Sequence, residues 1–154
     1  MTKKKAVIMG ICVVIVLCFA VFVVSFYSPR IYGHRVERLL IEMQKDIVTG
    51  KRSSGEQINL GSITPFSWDT MYQFGGYTST EFIDKVLGFE SHLSPTYQEG
   101  LHHIVFVKNN KIVCCFITRD PSYWVDMPCD IGVSQDDANF ALLNSNGYLW
   151  LSLI

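Results

Sequence analysis

A stretch of carboxylates and aromatic rings between residues 120 and 137 is the part of this sequence best equipped for binding chemistry. Its members are Asp120, Tyr123, Trp124, Asp126, Asp130, Asp136 and Asp137. Aromatic rings flanked by charge are typical of the residues that dominate protein–protein interfaces. A calcium loop needs carboxylates two positions apart and a bidentate glutamate, and this spacing provides neither. A partner-binding surface is therefore predicted, formed by Tyr123, Trp124, Asp126, Asp130, Asp136 and Asp137. The alternative is that the aspartates are solvated loop residues that cap turns.

Three cysteines lie outside the N-terminal region, at Cys114, Cys115 and Cys129. An odd number does not make a complete disulfide framework, and adjacent strand residues point to opposite faces. A disulfide between Cys129 and one member of the adjacent pair is one interpretation, and small buried thiols are the other. Zinc needs four ligands at a recurrent spacing, which the chain lacks, so no metal site is expected.

The two adjacent histidines, His102 and His103, lie in a predicted strand. Their side chains should diverge to opposite faces, so they cannot chelate one metal ion together. The chain also contains no Gly-x-Ser-x-Gly nucleophile motif and no glycine-rich phosphate loop. No catalytic residue and no cofactor are therefore predicted, and the chain is not expected to be an enzyme.

Charge divides the chain into two unlike parts. Residues 28–52 carry six Lys or Arg against three acidic residues, a net charge of +3. From residue 56 onward four basic residues stand against eleven acidic ones, a net charge of −7. An acidic domain repels phosphate backbones, so nucleic-acid binding is not expected.

The N-terminal region carries a long uncharged run. Residues 6–27 contain no charge, and Lys3, Lys4 and Lys5 precede them in a basic flank at residues 1–5. As a helix this run would be about 33 Å long, and a bilayer core is about 30 Å thick. The run exceeds the apolar region of a cleaved signal peptide. The pattern predicts a transmembrane helix or signal anchor in contact with the lipid bilayer. The C-terminal domain would then lie outside the cytoplasm, in the periplasm or at the cell surface.

Residues 28–50 form a predicted amphipathic helix beside that span. Ser28 and Pro29 suit its first turn, and one helical face carries the following apolar residues: Val36, Leu39, Leu40, Met43 and Ile47. Packing against the domain is one interpretation of this face, and lying on the membrane surface is the other. Residues 51–56 are a linker by composition.

The remaining residues, 57–154, show a mixture of strand and helix patterns. Short strands are predicted near residues 58–60 and 70–74, followed by a helix that Thr78 caps and Gly88 ends. Two hairpins are predicted, around Asn109-Asn110 and around Asn146-Gly147. For the second hairpin, a helix over residues 134–143 is the alternative.

These elements predict an α+β fold. After the transmembrane helix we expect a two-layer domain of a short antiparallel sheet, built from hairpins, with one or two packed helices. The first hairpin should pair Lys108 with Lys111, Val107 with Ile112, and Val105 with Cys114. The capped helix should cover one face of the sheet.

Residues 66–78 carry the string Phe-Ser-Trp-Asp-Thr-Met-Tyr-Gln-Phe-Gly-Gly-Tyr-Thr, followed by a helix ending in Leu87-Gly88. The string resembles a group of small bacterial membrane-anchored or lipoprotein-like proteins that share Phe-x-Trp-Asp-x-x-Tyr-x-Phe-x-x-Tyr-Thr. The helix and following hairpins are also distantly similar to BamE-like outer-membrane lipoproteins, although the lipobox and a proline after Leu-Gly are missing here. The resemblance implies no activity. From the residues themselves, Trp68, Tyr72, Phe74 and Tyr77 are expected in the core and Asp69 as a turn acceptor, and a ligand-binding role for Trp68 and Asp69 is the alternative.

Three functional hypotheses follow. The first is a membrane-anchored, extracytoplasmic protein-interaction or accessory module that binds a protein partner. The second is an immunity-type or inhibitor protein whose acidic surface blocks a basic toxin or enzyme. The third is a small hydrolase, which requires polar residues lining one concave pocket.

Overall fold

The structure, a computed structural model, describes residues 3–119 and 122–154, and it describes their side chains except at 3–10, 21–28 and 30. The described helices are α1 (Lys3–Val48), α2 (Leu60–Ile63) and α3 (Thr80–Leu87). The described strands are β1 (Gln57–Asn59), β2 (Thr70–Phe74), β3 (His103–Lys108), β4 (Lys111–Ile117), β5 (Tyr123–Asp126), β6 (Val133–Ser134), β7 (Asn139–Ser145) and β8 (Tyr148–Leu153).

The strands form two four-stranded sheets. Sheet I has the order β1-β7-β8-β5 and sheet II the order β4-β3-β2-β6. Every pairing is antiparallel except that of β5 with β8, which is parallel. The α+β class is confirmed, but the prediction of one short antiparallel sheet is wrong. Hairpin turns reveal only neighbours in sequence, whereas β6 and β7 separate β5 from its parallel partner β8 along the chain.

One hydrophobic core joins α1 to both sheets. In α1 the side chains of Val36, Leu40, Met43 and Ile47 are buried, and Leu39 packs beside them. The same cluster contains Met71, Ile104 and Phe106 from sheet II, and Phe140, Leu142, Leu149 and Leu151 from sheet I. The helical face predicted over residues 28–50 therefore packs against the domain and does not lie on a membrane surface.

The uncharged run at residues 6–27 forms the first half of α1. No helix in the part of the chain that the structure describes combines the length and the apolar character needed to cross a bilayer. This finding contradicts the predicted transmembrane helix and signal anchor, and with them the single-pass location in the cell membrane with the domain outside the cytoplasm. Of the predicted span, the side chains of residues 6–10 and 21–27 lie outside the described residues.

α1 continues without the break that Ser28-Pro29 predicts. Pro29 lies inside the helix, where it has no N–H to donate to the preceding turn. The helix instead ends at Thr49 and Gly50, whose N–H groups donate to the carbonyls of Lys45 (2.9 Å) and Ile47 (3.1 Å). Gly50 takes a left-handed φ of 73°, the usual conformation after a helix end. Just beyond it an ion pair joins Arg52 to Glu56 and orders the predicted linker.

A second, smaller cluster lies on the other face of sheet II. Ile83 and Leu87 of α3 pack there on Phe74, Val105 and Val107. α3 therefore covers one sheet face as predicted. Its N-cap is Ser79, whose Oγ accepts from the N–H of Phe82 (3.3 Å); the predicted cap Thr78 instead donates to the Gly75 carbonyl (2.8 Å). Gly88 ends the helix at a left-handed φ of 77°, as its type predicts.

Both predicted hairpins are present. Asn109 and Asn110 have φ of 50° and 56°, and Asn146 and Gly147 have φ of 54° and 87°, as two-residue hairpin turns require. The pairs Lys108–Lys111 and Val107–Ile112 are confirmed, but a register shift after Phe106 pairs Val105 with Cys115 in place of Cys114. Such a bulge adds one residue to a strand, and sequence alternation did not reveal it. The alternative helix over 134–143 is wrong, because β6, a turn and β7 occupy those residues.

The aromatic string at residues 66–78 is only partly in the core. Trp68 and Phe74 are buried, whereas Tyr77 is 65% exposed with a left-handed φ of 67°. Asp69 is the turn acceptor that its position predicts, since its Oδ2 accepts from the N–H of Asn109 (2.8 Å).

Candidate functional site

The outer face of sheet I carries a group of exposed aromatic and aliphatic side chains. Strand alternation directs Phe140, Leu142, Leu149, Leu151 and Val125 into the core. Their neighbours Trp124, Leu143, Tyr148 and Trp150 point outward, and we call these four residues the aromatic face. Leu143 is 40% exposed, Tyr148 50% and Trp150 39%, while Trp124 is half-buried.

Sheet pairing holds these side chains beside one another. Trp150 is in register with Leu143 on β7 and with Trp124 on β5. The rings of Trp124 and Trp150 lie with centroids 6.0 Å apart and planes inclined by 36°. The backbone ladder therefore presents the two indoles as one platform without help from a ligand.

His102, the residue before β3, packs against the platform. Its ring meets Trp124 edge-to-face at a centroid distance of 4.8 Å, and its Nδ1 lies 3.1 Å from Nε2 of Gln73. Burial lowers the pKa of His102, so the imidazole is neutral at pH 7. His103 points the other way, as predicted for adjacent strand residues.

An open cavity of about 410 Å³ adjoins the aromatic face. Trp124, Tyr148 and Trp150 line it together with the charged residues Glu99 and Arg119. The loop before β3 contributes Glu99, and the segment after β4 contributes Arg119. Both side chains are exposed, so the cavity joins an aromatic wall to two opposite charges at the surface.

The predicted partner-binding residues are not gathered at one site. Tyr123 is 2% exposed, and its hydroxyl donates to Oε1 of Glu37 on α1 (3.3 Å), so it belongs to the core. Trp124 lies on the aromatic face. Asp126 is exposed two residues further along β5. Asp120 lies outside the described residues.

The other three predicted aspartates lie elsewhere. The N–H of Asp130 donates to the Gln73 carbonyl in sheet II (3.0 Å). Asp137 accepts from the hydroxyl of Ser134 (2.6 Å), and the carbonyl of Asp136 accepts from the amide of Asn59 (3.2 Å). These two residues therefore form the turn that leads into β7. Because strands are about 4.8 Å apart, the β1 edge near this turn is about 14 Å from β5.

The cysteines proposed for a disulfide lie in three environments. Cys114 is buried in the main core, Cys115 is half-buried on the opposite face of β4, and Cys129 is exposed. Burial raises the pKa of the Cys114 thiol well above its usual range. The structure joins neither Cys114 nor Cys129 to another cysteine.

A second open cavity, of about 570 Å³, lies between α1 and sheet II. His34, Glu37, His92, His103 and Cys115 line it, and Arg119 reaches it as well. The His34 side chain is 83% exposed, and its Nδ1 is 3.9 Å from Oε2 of Glu37. Among the described residues no group of three His, Cys, Asp or Glu side chains is placed to hold a metal ion.

Acid should destabilise the fold through His102 and His103. Burial lowers both pKa values, and in His103 the charge of Arg119 adds to this while a hydrogen bond to the Ser94 backbone opposes it. The unfolded chain then binds more protons than the folded one, so stability is complete above the unfolded pKa of about 6.5 and falls below it. Each group changes the free energy of unfolding by at most about 1.4 kcal/mol per pH unit.

Urea denaturation between about pH 5 and pH 8 measures this dependence. His103→Gln should flatten it, while His92→Gln, at a 77% exposed side chain, should leave it unchanged. An identical pH dependence in wild type and His103→Gln would contradict the assignment.

Sequence reasoning located Trp124 but missed Leu143, Tyr148 and Trp150. The alternation of buried and exposed residues on both sides of Asn146-Gly147 was the available signal. That alternation shows which residues share a face, but pairing with β5 is needed to place Trp150 beside Trp124.

Comparison of the chain with protein-family models, with curated proteins and with solved structures gives no match in any of the three. The functional argument therefore rests on the site itself.

Proposed function

We propose that this protein is an interaction or accessory module that binds a partner protein through the aromatic face. The observation that carries the proposal is the exposure of Tyr148, Trp150 and Leu143 beside Trp124 on one sheet surface. Tyrosine and tryptophan are enriched at the centre of protein interfaces, where charged residues are depleted. Across the four strands of sheet I, all of them described, Asp126 is the one charged residue.

The charge of residues 28–154, a net of −4, favours a basic partner. From residue 56 onward the net charge is −7, and a field of one sign speeds the encounter with a partner of the opposite sign. A narrower form of the proposal is inhibition, in which the partner is a basic toxin or enzyme. Inhibition of that kind predicts tight binding that weakens with salt.

A hydrolytic function has weaker support. The two open cavities satisfy the requirement for a concave pocket. A nucleophile and its base, however, should lie within hydrogen-bond reach and be held by a third group. The contact of His34 with Glu37 is long (3.9 Å), and the His34 side chain is 83% exposed, which does not suit a catalytic base.

The test is affinity capture from an extract of the source cells, with the full-length chain as bait. Trp150→Ala and Tyr148→Ala should each reduce recovery of one stoichiometric partner at least about tenfold, since truncating a central aromatic anchor commonly costs 2 kcal/mol or more. Asp126→Asn should reduce recovery less, because a rim charge contributes little affinity.

Tyr97→Ala is the matched control, because Tyr97 is an aromatic residue that is 77% exposed outside the aromatic face. Its bait should recover the partner as the wild type does. A partner retained equally by all of these baits, or no partner with the wild-type bait, would count against the proposal.

A further inference from the structure

The cavity of about 410 Å³ at the aromatic face combines three features that suit a cation. Trp124, Tyr148 and Trp150 line one part of it, and the carboxylate of Glu99 lines another. Its volume lies in the range of small-ligand pockets, about 300–1,000 Å³, so it has room for one side chain of a partner.

The aromatic rings supply negative potential. The face of an indole or phenol ring carries the negative part of its quadrupole and attracts a cation within about 6 Å of the centroid. His102 contacts Trp124 edge-to-face but is not among the residues that line the cavity, and its neutral imidazole adds no opposing charge. Glu99 lines the same cavity and is exposed, so its carboxylate is available to pair with a cation seated on the rings.

Arg119 opposes this potential from the same cavity. The other basic residues from residue 56 onward are Lys85, Lys108 and Lys111. Lys85 lies on α3, and the two remaining lysines flank the turn between β3 and β4. All three belong to elements of the sheet II side, and Arg119 is the one basic residue among the described residues that line the cavity.

We infer that the cavity takes a cationic side chain of the partner protein, seated on Trp124, Tyr148 and Trp150 with Glu99 as its counter-charge. This inference rests on the proposed function, because the cavity opens on the aromatic face. The net negative charge from residue 56 onward also attracts partner proteins that carry basic residues. Arg119 weakens the attraction and limits affinity for a cation on its own.

The probes that test this inference are N-acetyl-arginine amide and N-acetyl-citrulline amide, which have nearly the same shape and differ in charge. Titration of the full-length protein is followed by the indole N–H resonances of its three tryptophans. The arginine derivative should shift the Trp124 and Trp150 signals with an affinity roughly fivefold above that of the citrulline derivative. The Trp68 signal should not move, because Trp68 is 1% exposed in the core.

Two substitutions of opposite sign test the charges. Glu99→Gln should weaken binding of the arginine derivative about threefold, and Arg119→Gln should strengthen it by a similar factor. Asp136→Asn changes the net charge exactly as Glu99→Gln does, but in the turn before β7, and should leave the affinity nearly unchanged. Trp150→Leu and Tyr148→Leu should each reduce the preference for arginine over citrulline, because each removes one of the three rings and leaves Glu99 in place.

Equal affinity for the two probes overturns the inference, as does an equal effect of Glu99→Gln and Asp136→Asn. The failure of the proposed function gives a different result. If the aromatic face captures a partner that Trp150→Ala loses, but Glu99→Gln binds it as wild type does, the module stands and the cationic anchor fails. If the arginine probe binds as expected but no partner depends on Trp150, the proposed function fails.

Discussion

Trp68→Ala should lower the free energy of unfolding by about 3–5 kcal/mol, the usual cost of removing a buried indole. Trp68 is 1% exposed and meets Phe106 edge-to-face at a centroid distance of 5.0 Å. Its Nε1 donates to Oγ1 of Thr64 (2.9 Å). Since domains are commonly stable by about 5–15 kcal/mol, the loss would remove a large share of the total. Urea denaturation followed by circular dichroism measures it.

The matched control is Trp150→Ala on the aromatic face. Trp150 is 39% exposed, so its removal should cost much less than that of Trp68. Trp68→Phe should fall between the two, because it keeps an aromatic ring near Phe106 but leaves Thr64 without its donor. A loss below about 1 kcal/mol for Trp68→Ala would contradict the packing described for the core.

Gly33→Ala should destabilise the protein by about 1–3 kcal/mol, although alanine is the better helix former by about 1 kcal/mol. A Cβ at Gly33 would lie within van der Waals overlap of the Cys115 carbonyl oxygen and 3.2 Å from the Cβ of Phe116. The obstacle is the backbone of β4, which cannot move aside as a flexible side chain does. α1 would have to move away from the edge of sheet II.

Gly75→Ala is the comparison for this substitution. A Cβ at Gly75 meets nothing within 4 Å, so this change should be neutral or stabilise by about 0.4–1 kcal/mol through the unfolded chain. Urea denaturation of both variants, with the midpoint and the dependence of the free energy of unfolding on urea concentration, measures the two effects. A stabilised Gly33→Ala would show that α1 does not approach β4 this closely.

Local chemistry predicted several elements correctly. Asn109-Asn110 and Asn146-Gly147 tolerate positive φ and specify their own turns, and Gly88 ends α3 for the same reason. The spacing of Val36, Leu40, Met43 and Ile47 defines a helical face whatever covers it. Each of these features depends on residues within a few positions of one another.

The apolar face of α1 shows where such reasoning ends. Its spacing identifies the buried side, but not whether a membrane surface or a protein core covers it. The uncharged run before it was predicted to cross a bilayer, and the structure contradicts that prediction within the residues it describes. Length and lack of charge do not identify the surroundings of a helix.

Sequence by itself determined the α+β class, the two hairpins, the end of α3 and the buried face of α1, because these follow from backbone preference and short-range periodicity. Tertiary structure alone decided the division into two sheets, the parallel pairing of β5 with β8 and the bulge after Phe106 that pairs Val105 with Cys115 in place of Cys114. It also placed Tyr123 in the core and its neighbour Trp124 on the aromatic face. The reason is physical: which distant strands pair depends on burying the most apolar area at once, and no short stretch of sequence encodes that choice.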